Sequence, residues 1–406
     1  MIAWKALLGA AGLMTSVTLS VSLARADPVT LNVWTIDRED GYHWTMAKEF
    51  EAKHPDIKIT VKRVQFSDMI NDLARAAATG GGPDVTYIDN PAISLFASKG
   101  LLLGLKPMLA NSKVIDAKKI LPGPLASVTY KDEIYGIPRG ANTIALYYNA
   151  DMFKAKGLDP DKPPRTWDEL YAAAKMLSDP ANNVYGIAFC AKANEEGTFQ
   201  FLPWLQMTGG DYAKVNTPGG VKALKFWQRL IDEKLASPDT LIRTQFESTG
   251  TFNAGNAAMV ISGPWEMPRM SKDAKFDYRV AILPTEMAEG PHASALGEGD
   301  NVILASSKHP KEAFEFVEYL YEQMPRVWNE FGFLPAYPVE AKDAKWPAHY
   351  GVFVESMKYA RVRGPHPEWQ KISKAVQTAI QSTLTHQAEA EAALATAQAT
   401  ITDVLK

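Results

Sequence analysis

Hydrogen-bonding side chains follow three predicted β-strands, each at the point where the strand ends. The candidates that share this position are Asp37, Tyr42, His43, Ser67, Asp89 and Asn90. Together they offer donors and acceptors for a polar ligand. Because ligands of open parallel sheets bind outside the carboxyl ends of the strands, we expect these side chains to converge. For the charged stretch 37–43, a solvated surface loop is the alternative interpretation.

The elements around these candidates alternate between strand and helix. Apolar and polar residues alternate in 29–33 and in 57–61, and this period of two predicts two strands. A helical pattern follows each of them, and the second helix is expected to stop at the glycines 80–82, before a third strand at 85–87. The order predicts an α/β fold with parallel pairing and right-handed crossovers.

Length and charge set limits on the class of protein. About 380 residues follow position 26, more than one hydrophobic core usually supports, so we expect two lobes. The chain has 43 Lys and Arg against 46 Asp and Glu, a net charge of −3. Without a basic stripe, nucleic acid is not expected as a partner.

Two other classes of protein compete with a binding function. A glycoside-cleaving enzyme needs two positioned carboxyl groups, which a sequence does not reveal. The chain has no HExxH, GxSxG, Walker A or GxGxxG context. Its seven His residues show no ligand spacing, so we expect no metal and no cofactor. A structural or adhesion protein is the second alternative, and it predicts no tight small ligand.

The first 26 residues read as a secretory signal peptide. Lys5 precedes an apolar stretch from Ala6 to Leu23, and Ala24–Ala26 forms an A-x-A cleavage site. A membrane anchor is the alternative interpretation. Cys190 is the only cysteine, so no intrachain disulfide is available, and no cysteine near the cleavage site offers a lipid anchor. We therefore expect a periplasmic protein, with Cys190 buried.

Six segments in the same order resemble the family 1 extracellular solute-binding proteins of ABC importers. This family includes maltose-, glycerol-phosphate- and other glycoside-binding proteins. The segments are FEAKHPDIKITV (50–61), GGGPDVTYID (80–89), IYGIPRGANTIALYYNADMFKAKGL (134–158), PRTWDELYAAAKML (164–177), FNAGNAAMVISGPWEM (252–267) and ASSKHPKEAFEFVEYL (305–320). Each segment alone is a weak signal, whereas six in order are specific.

The resemblance implies a periplasmic binding protein fold, with two α/β lobes and parallel-rich sheets joined by three crossover segments. The lobes are expected at 27–139 plus 293–335 and at 143–290 plus 340–406. The crossings then fall near 139–143, 284–297 and 335–340. The implied function is capture of a sugar-like molecule by hinge closure. A monomer that hands its ligand to the permease subunits of an inner-membrane ABC importer is expected, with no enzymatic activity.

The resemblance also points to a sugar site. Sugar hydroxyls need directed donors and acceptors, and the C–H faces of the ring stack on aromatic side chains. Trp265, in SGPWEM, stands where the family carries a stacking platform, and a core tryptophan is the alternative. Asn142 stands where relatives commonly carry an acidic sugar ligand, so its amide leaves the ligand class open; a turn residue is the alternative.

Further candidates lie in the loops expected to face the cleft. They are Asn194, Thr198 and Trp204 in the second lobe, Gly297, Gly299 and Asp300 at the second crossing, and Tyr337 at the third. The glycines are expected to let backbone N–H groups approach a ligand. Arg139, Arg361 and Arg363 are candidate partners for an anion. A glycerophosphodiester or a sulfonated glycoside is therefore the alternative to a neutral sugar.

Overall fold

A computed structural model describes residues 27–338 and 349–406. The strands are β1 (Val29–Thr35), β2 (Ile57–Arg63), β3 (Val85–Asp89), β4 (Thr129–Tyr130), β5 (Glu133–Ile134), β6 (Ile137–Pro138), β7 (Ala145–Asn149), β8 (Met259–Ser262), β9 (Tyr278–Ala281), β10 (Ser294–Ala295), β11 (Gly299–Ile303) and β12 (Ala360–Arg361). The predicted signal peptide lies outside the described residues.

The α-helices are α1 (Tyr42–Lys53), α2 (Met69–Ala78), α3 (Ile93–Ser98), α4 (Lys106–Leu109), α5 (Pro122–Ser127), α6 (Ala150–Ala155), α7 (Trp167–Leu177), α8 (Glu195–Met207), α9 (Pro218–Asp232), α10 (Gln245–Asn253), α11 (Met267–Asp273), α12 (Pro310–Glu322), α13 (Val327–Glu330), α14 (Tyr350–Ser356), α15 (Trp369–Leu384) and α16 (Ala390–Val404). Within the ranges 27–338 and 349–406, no helix is long and apolar enough to cross a membrane.

The sheet of the first lobe has the strand order β2-β1-β3-β11-β6. β1 lies parallel to both β2 and β3, with Val33 opposite Val61 on one side and Val85 on the other. This confirms the parallel pairing expected from the strand–helix order. β11 runs antiparallel to β3 and places Gly299 opposite Asp89. The carboxyl ends of β1 and β3 and the start of β11 therefore meet at one edge.

The second lobe has a smaller sheet, β8-β7-β9, surrounded by helices. Both of its strand pairings are antiparallel, so the expectation of a parallel-rich sheet was wrong for these strands. A parallel bridge joins Ala188 to Val260 beside them. Helices α7, α8, α9, α15 and α16 share one core, in which Trp227 and Trp369 are fully buried.

The segments expected to cross between the lobes lie side by side. Ala141 of the first crossing pairs with Leu334, and its neighbour Asn142 pairs with Gly297 of the second. β10, also in the second crossing, pairs with β12, and Ala293 and Ala295 pack in the core of the second lobe. Residues 339–340, the end of the third expected crossing, lie outside the described part of the chain.

Candidate ligand-binding site

The end of β1 holds a buried ion-pair network around Asp37. His43 Nδ1, on α1, lies 2.6 Å from one oxygen of Asp37, and Arg139 Nη1 donates to the other at 2.8 Å. Burial alone would raise the pKa of Asp37, but the Arg139 and His43 contacts outweigh it and hold the pKa well below its usual range. His43 Nε2 lies 2.7 Å from Asn301 Oδ1, so the imidazole ties β1 to β11.

Glu298 connects this network to the first crossover segment. One of its oxygens accepts from Arg139 Nε at 2.6 Å, and the other accepts from Asn142 Nδ2 at 2.9 Å. The backbone of Glu298 has a φ of +98°, an unfavourable conformation for a side-chain-bearing residue. The Gly299 N–H donates to the same carboxylate at 3.0 Å, so these hydrogen bonds hold the strained residue in place.

Arg363 forms a second network between the lobes. Its Nη1 and Nη2 donate to the two oxygens of Asp89 at 2.9 and 2.8 Å, a bidentate pair with the end of β3. Nη1 also donates to Glu195 of α8 at 2.7 Å, and Nη2 donates to Asn90 Oδ1 at 3.0 Å. One guanidinium group therefore links the first lobe to α8 of the second.

Glu195 is held by the helices of the second lobe. Trp369 Nε1 donates to it at 3.1 Å and Ser373 Oγ at 2.6 Å, both from α15. Thr198 Oγ1 lies 2.8 Å from Ser373 Oγ, so Thr198 reaches the network only through that hydroxyl. Burial raises the pKa of Glu195 above its usual range, although Arg363 opposes the rise.

The positive charges of the two buried arginines are already balanced by carboxylates of the protein. Each contacts two carboxylates, Asp37 and Glu298 for Arg139 and Asp89 and Glu195 for Arg363. Asp300, completely buried, adds a fifth carboxyl group. Its pKa is raised well above the usual range by burial and by the Glu298 and Asp89 carboxylates. Even without Asp300, four carboxyl groups face two arginines here, which favours a neutral ligand over an anionic one.

Three buried polar atoms in these networks lack a hydrogen-bond partner among the described residues. They are Asn142 Oδ1, Asp300 Oδ2 and Arg363 Nε. Buried polar groups in folded proteins are nearly always paired, so such atoms are candidates for contact with a bound molecule. Asn142 Oδ1 accepts, Arg363 Nε donates, and Asp300 Oδ2 can do either according to its protonation, so a molecule that pairs with all three must both donate and accept hydrogen bonds.

Aromatic rings stand beside the networks. Trp265 is half-buried and packs against the cores of both lobes. It lies in a short 3₁₀ helix, Pro264–Glu266, and its ring covers Gly263, where an added Cβ would come within 1.9 Å of a ring carbon. This contact explains the glycine of the SGPW motif. The Phe199 ring lies 6.3 Å from Trp265, and the Arg363 guanidinium stacks over Phe199 at 4.7 Å.

Two predicted ligand contacts are core residues. Tyr42 is 1% exposed and its hydroxyl donates to the Leu320 carbonyl at 2.8 Å inside the first lobe. Trp204 is 1% exposed on α8 and packs against Trp167 and Trp227 rather than in a loop. Neither ring has a surface left for a ligand, so we correct both assignments to core packing.

Several other candidates are occupied by contacts within the protein. Asn194 caps α8, accepting from the Glu196 and Gly197 N–H groups. The Gly297 N–H donates to the Asn142 carbonyl and the Gly299 N–H to Glu298, so neither is free for a ligand, contrary to expectation. Both glycines are needed for packing, because a Cβ would meet Asn142 Oδ1 at 2.1 Å or the Tyr87 ring at 2.0 Å.

Three candidates lie outside the networks. Ser67 is exposed and donates to Asp68 Oδ1 at 3.3 Å. Arg361 is exposed in β12, so it does not join Arg363 in an anion site. Tyr337 packs beside Tyr321, with ring centres 5.2 Å apart, against the core of the first lobe. No group of three or more His, Cys, Asp or Glu side chains in the described part of the chain is arranged to hold a metal ion.

The structure adds Glu195, Glu298 and Phe199 to the site. Glu195 and Phe199 lie in the loop-to-helix stretch that follows Asn194, and Glu298 stands between the two glycines of the second crossing. In the sequence, these three residues could have been recognised as site candidates by their position next to the predicted site residues. Their role depends on Arg363 and Arg139, which are more than 150 residues away in sequence.

Comparison with known proteins places this arrangement in a family. Residues 42–324 match the family described as bacterial extracellular solute-binding protein, and the chain belongs to it. A binding protein of Brucella abortus (strain 2308) is 27% identical over 99% of this chain and 98% of its own. The maltotriose-binding protein of Pyrococcus abyssi (strain GE5 / Orsay) is 27% identical over 84% of this chain and 74% of its own.

A solved structure has the same fold. The ABC transporter solute-binding protein of Thermotoga lettingae TMO, bound with α-D-tagatose, superimposes with a TM-score of 0.86. It is 29% identical, and the match covers 93% of this chain and all of that one. The two-lobed periplasmic binding protein fold expected from the sequence is confirmed.

Proposed function

We propose that this protein is the periplasmic receptor of an ABC importer and captures a neutral sugar or glycoside between its lobes. The lobes are 27–139 plus 293–335 and 143–290 plus 340–406. Ligand contacts to both lobes favour the closed arrangement, and the permease subunits receive the ligand from it. Residues 1–26 act as a signal peptide that is removed on export. The mature chain, with a net charge of −5, acts as a monomer without catalytic activity.

The observation that carries the proposal is the set of unpaired buried atoms beside aromatic rings. Asn142 Oδ1 can accept from a hydroxyl and Arg363 Nε can donate to one. Asp300 Oδ2 can accept when ionised or donate when protonated, and its raised pKa favours the protonated form. Trp265, which is half-buried, offers a ring face to the C–H side of a sugar, and the buried Phe199 ring packs beside it. A sugar presents hydroxyls and apolar faces together, so it matches both features with one molecule.

An anionic polyol derivative is the weaker alternative. A phosphate or sulfonate group offers only acceptors at neutral pH, whereas the unpaired Asn142 Oδ1 needs a donor. Each buried guanidinium already contacts two carboxylates, and Arg361 is exposed. Relatives with names that specify maltotriose and arabinooligosaccharide, and a neighbour bound to tagatose, support the neutral choice.

The test is calorimetric titration against D-tagatose, maltotriose, arabino- and galacto-oligosaccharides, with glycerol phosphate and a sulfonated glycoside as anionic probes. Mass spectrometry of the ligand that copurifies with the protein extends the panel. We expect a neutral sugar to bind at micromolar strength, about 8 kcal/mol. Tighter binding of the anionic probes would support the alternative, and release of a cleavage product would indicate an enzyme.

Trp265→Ala tests the site itself. Loss of a central aromatic anchor is expected to weaken sugar binding by about 2 kcal/mol or more. Trp34→Ala is the matched control, since Trp34 is also half-buried but packs beside Lys62 in the first lobe. An affinity unchanged by Trp265→Ala, with the fold intact, would refute this site.

A further inference from the structure

A contact between exposed parts of the two lobes lies beside the polar networks without belonging to them. Arg38 directly follows Asp37, and its guanidinium carbon lies 4.4 Å from the centre of the Phe246 ring on α10. Phe246 is 40% exposed, whereas the Asp37 side chain is only 10% exposed. The contact therefore stands at the rim of the region that the networks fill, where solvent begins.

The second-lobe side of this contact is held firmly. The Arg269 guanidinium lies 3.7 Å from the Phe246 ring centre, and its Nη2 donates to the Phe246 carbonyl at 3.0 Å. Arg269 also forms an ion pair with Glu266 at 2.7 Å. α10 begins with a capping box between Thr244 and Glu247, so Phe246 sits on an ordered first turn.

The first-lobe side is a tight turn. The Gly41 N–H donates to the Arg38 carbonyl at 2.8 Å. A Cβ on Gly41 would lie 2.7 Å from Asp37 Cβ and 2.9 Å from the Arg38 carbonyl oxygen, so only glycine allows this turn. The backbone of Arg38 is thus fixed within its own lobe. Both sides of the contact are formed within their own lobes, and closure brings them together.

We propose that Arg38 and Phe246 form a rim latch, a pair that stabilises the closed arrangement and sets ligand affinity without contacting the ligand. This inference rests on the proposed function, because the latch acts on the same closure. An exposed cation–π contact changes an equilibrium by about two- to fivefold. Apparent affinity scales with the fraction of molecules in the binding-competent state, so with the closed form in the minority before ligand binds, loss of the latch raises Kd by a similar factor.

The first experiment needs no ligand. Lys58 and Asp168 are exposed, one in each lobe, and the native Cys190 is buried, so cysteines introduced at both sites can be labelled selectively. Single-molecule energy transfer between the labels then reports the ratio of closed to open molecules. Arg38→Ala and Phe246→Ala are each expected to lower this ratio about two- to fivefold. The double variant is expected to match the single ones, because both changes remove one contact.

The second experiment measures binding. With whichever of D-tagatose and maltotriose binds the wild type, both variants are expected to raise Kd two- to fivefold through faster release. Ile242→Ala is the matched control, because Ile242 is 68% exposed and lies close to Phe246 in sequence, and it should leave both measurements unchanged. Unchanged ratios and affinities in the Arg38 and Phe246 variants, or additive effects in the double variant, would overturn the latch. If the wild type binds no sugar but the variants open, the proposed function fails and the latch stands.

Discussion

Glu266→Gln is expected to change how the stability of the protein depends on pH. Glu266 lies between Trp265 and α11, its side chain is 4% exposed, and it pairs with Arg269. Burial raises the pKa of its carboxyl from 4.5 to about 7, against the opposing charges of Arg269 and Arg38 and with a further rise from Glu196. The folded protein therefore holds this proton more tightly than the unfolded chain does.

The sign and size of the effect follow from that difference. The proton on Glu266 stabilises the folded state, and this stabilisation is complete below pH 4.5, the pKa of the unfolded chain. It is lost as the pH rises through about 7, the pKa in the folded state. The rise in pKa corresponds to about 3 kcal/mol, of which about 2.5 kcal/mol falls between pH 5 and pH 8. Glutamine is neutral throughout, so relative to wild type the variant should gain about that much stability over this interval.

Urea unfolding of both proteins at several pH values from 5 to 8 measures this difference directly, because other titrating groups cancel between them. Glu247→Gln is the control: Glu247 is an exposed residue, and hydrogen bonds from Thr244 hold its pKa below the usual range. Its variant should show no such gain as pH rises. If the difference between wild type and Glu266→Gln stays flat from pH 5 to 8, Glu266 is ionised throughout and the reasoning is refuted.

Two further predictions concern the contributions of the polar networks and of the hydrophobic cores to the free energy of unfolding. Arg363→Met leaves Asp89 and Glu195 buried without their counter-charge, and it should lower the free energy of unfolding by about 3–5 kcal/mol, measured by urea unfolding. Arg363→Lys keeps the charge but not the bidentate geometry and should lie between Met and wild type, so equal losses in both variants would contradict the role of charge. Trp204→Ala opens a cavity in the second-lobe core and should cost about 3–5 kcal/mol in the same assay. A large loss of sugar affinity in calorimetry, with little loss of stability, would restore Trp204 to the site.

The first-lobe sheet was predictable because local pattern and chain order agree there. The apolar alternation of β1 and β2 defines strands, and the intervening helix requires a crossover that makes them parallel. The second-lobe pairings were not predictable in the same way. The strand pattern of β7 is the same for either direction, and its partner β8 lies more than 100 residues later. Direction there depends on long-range topology.

The site was predictable by region rather than by role. Strand ends pointed to Asp37 and Asp89, which lie in the two polar networks, but a sequence does not show that each would be paired with an arginine from a distant segment. Trp204 had a local signal that favours the core, since it stands in the mostly apolar stretch 199–207, which forms the later part of α8. As a tryptophan it could serve as a sugar-stacking residue, but its position within a buried helix makes it part of the core.

The pairing between the crossover segments limits how the lobes can move. Ala141 exchanges two backbone hydrogen bonds with Leu334, at 2.7 and 2.9 Å, and Asn142 exchanges two with Gly297, at 3.3 and 3.0 Å. A bend in one of these segments alone would break its backbone hydrogen bonds to the others, so we expect the paired segments to bend together. We therefore expect the lobes to rotate as two rigid bodies about these paired segments, which would return the same facing residues to contact at each closure.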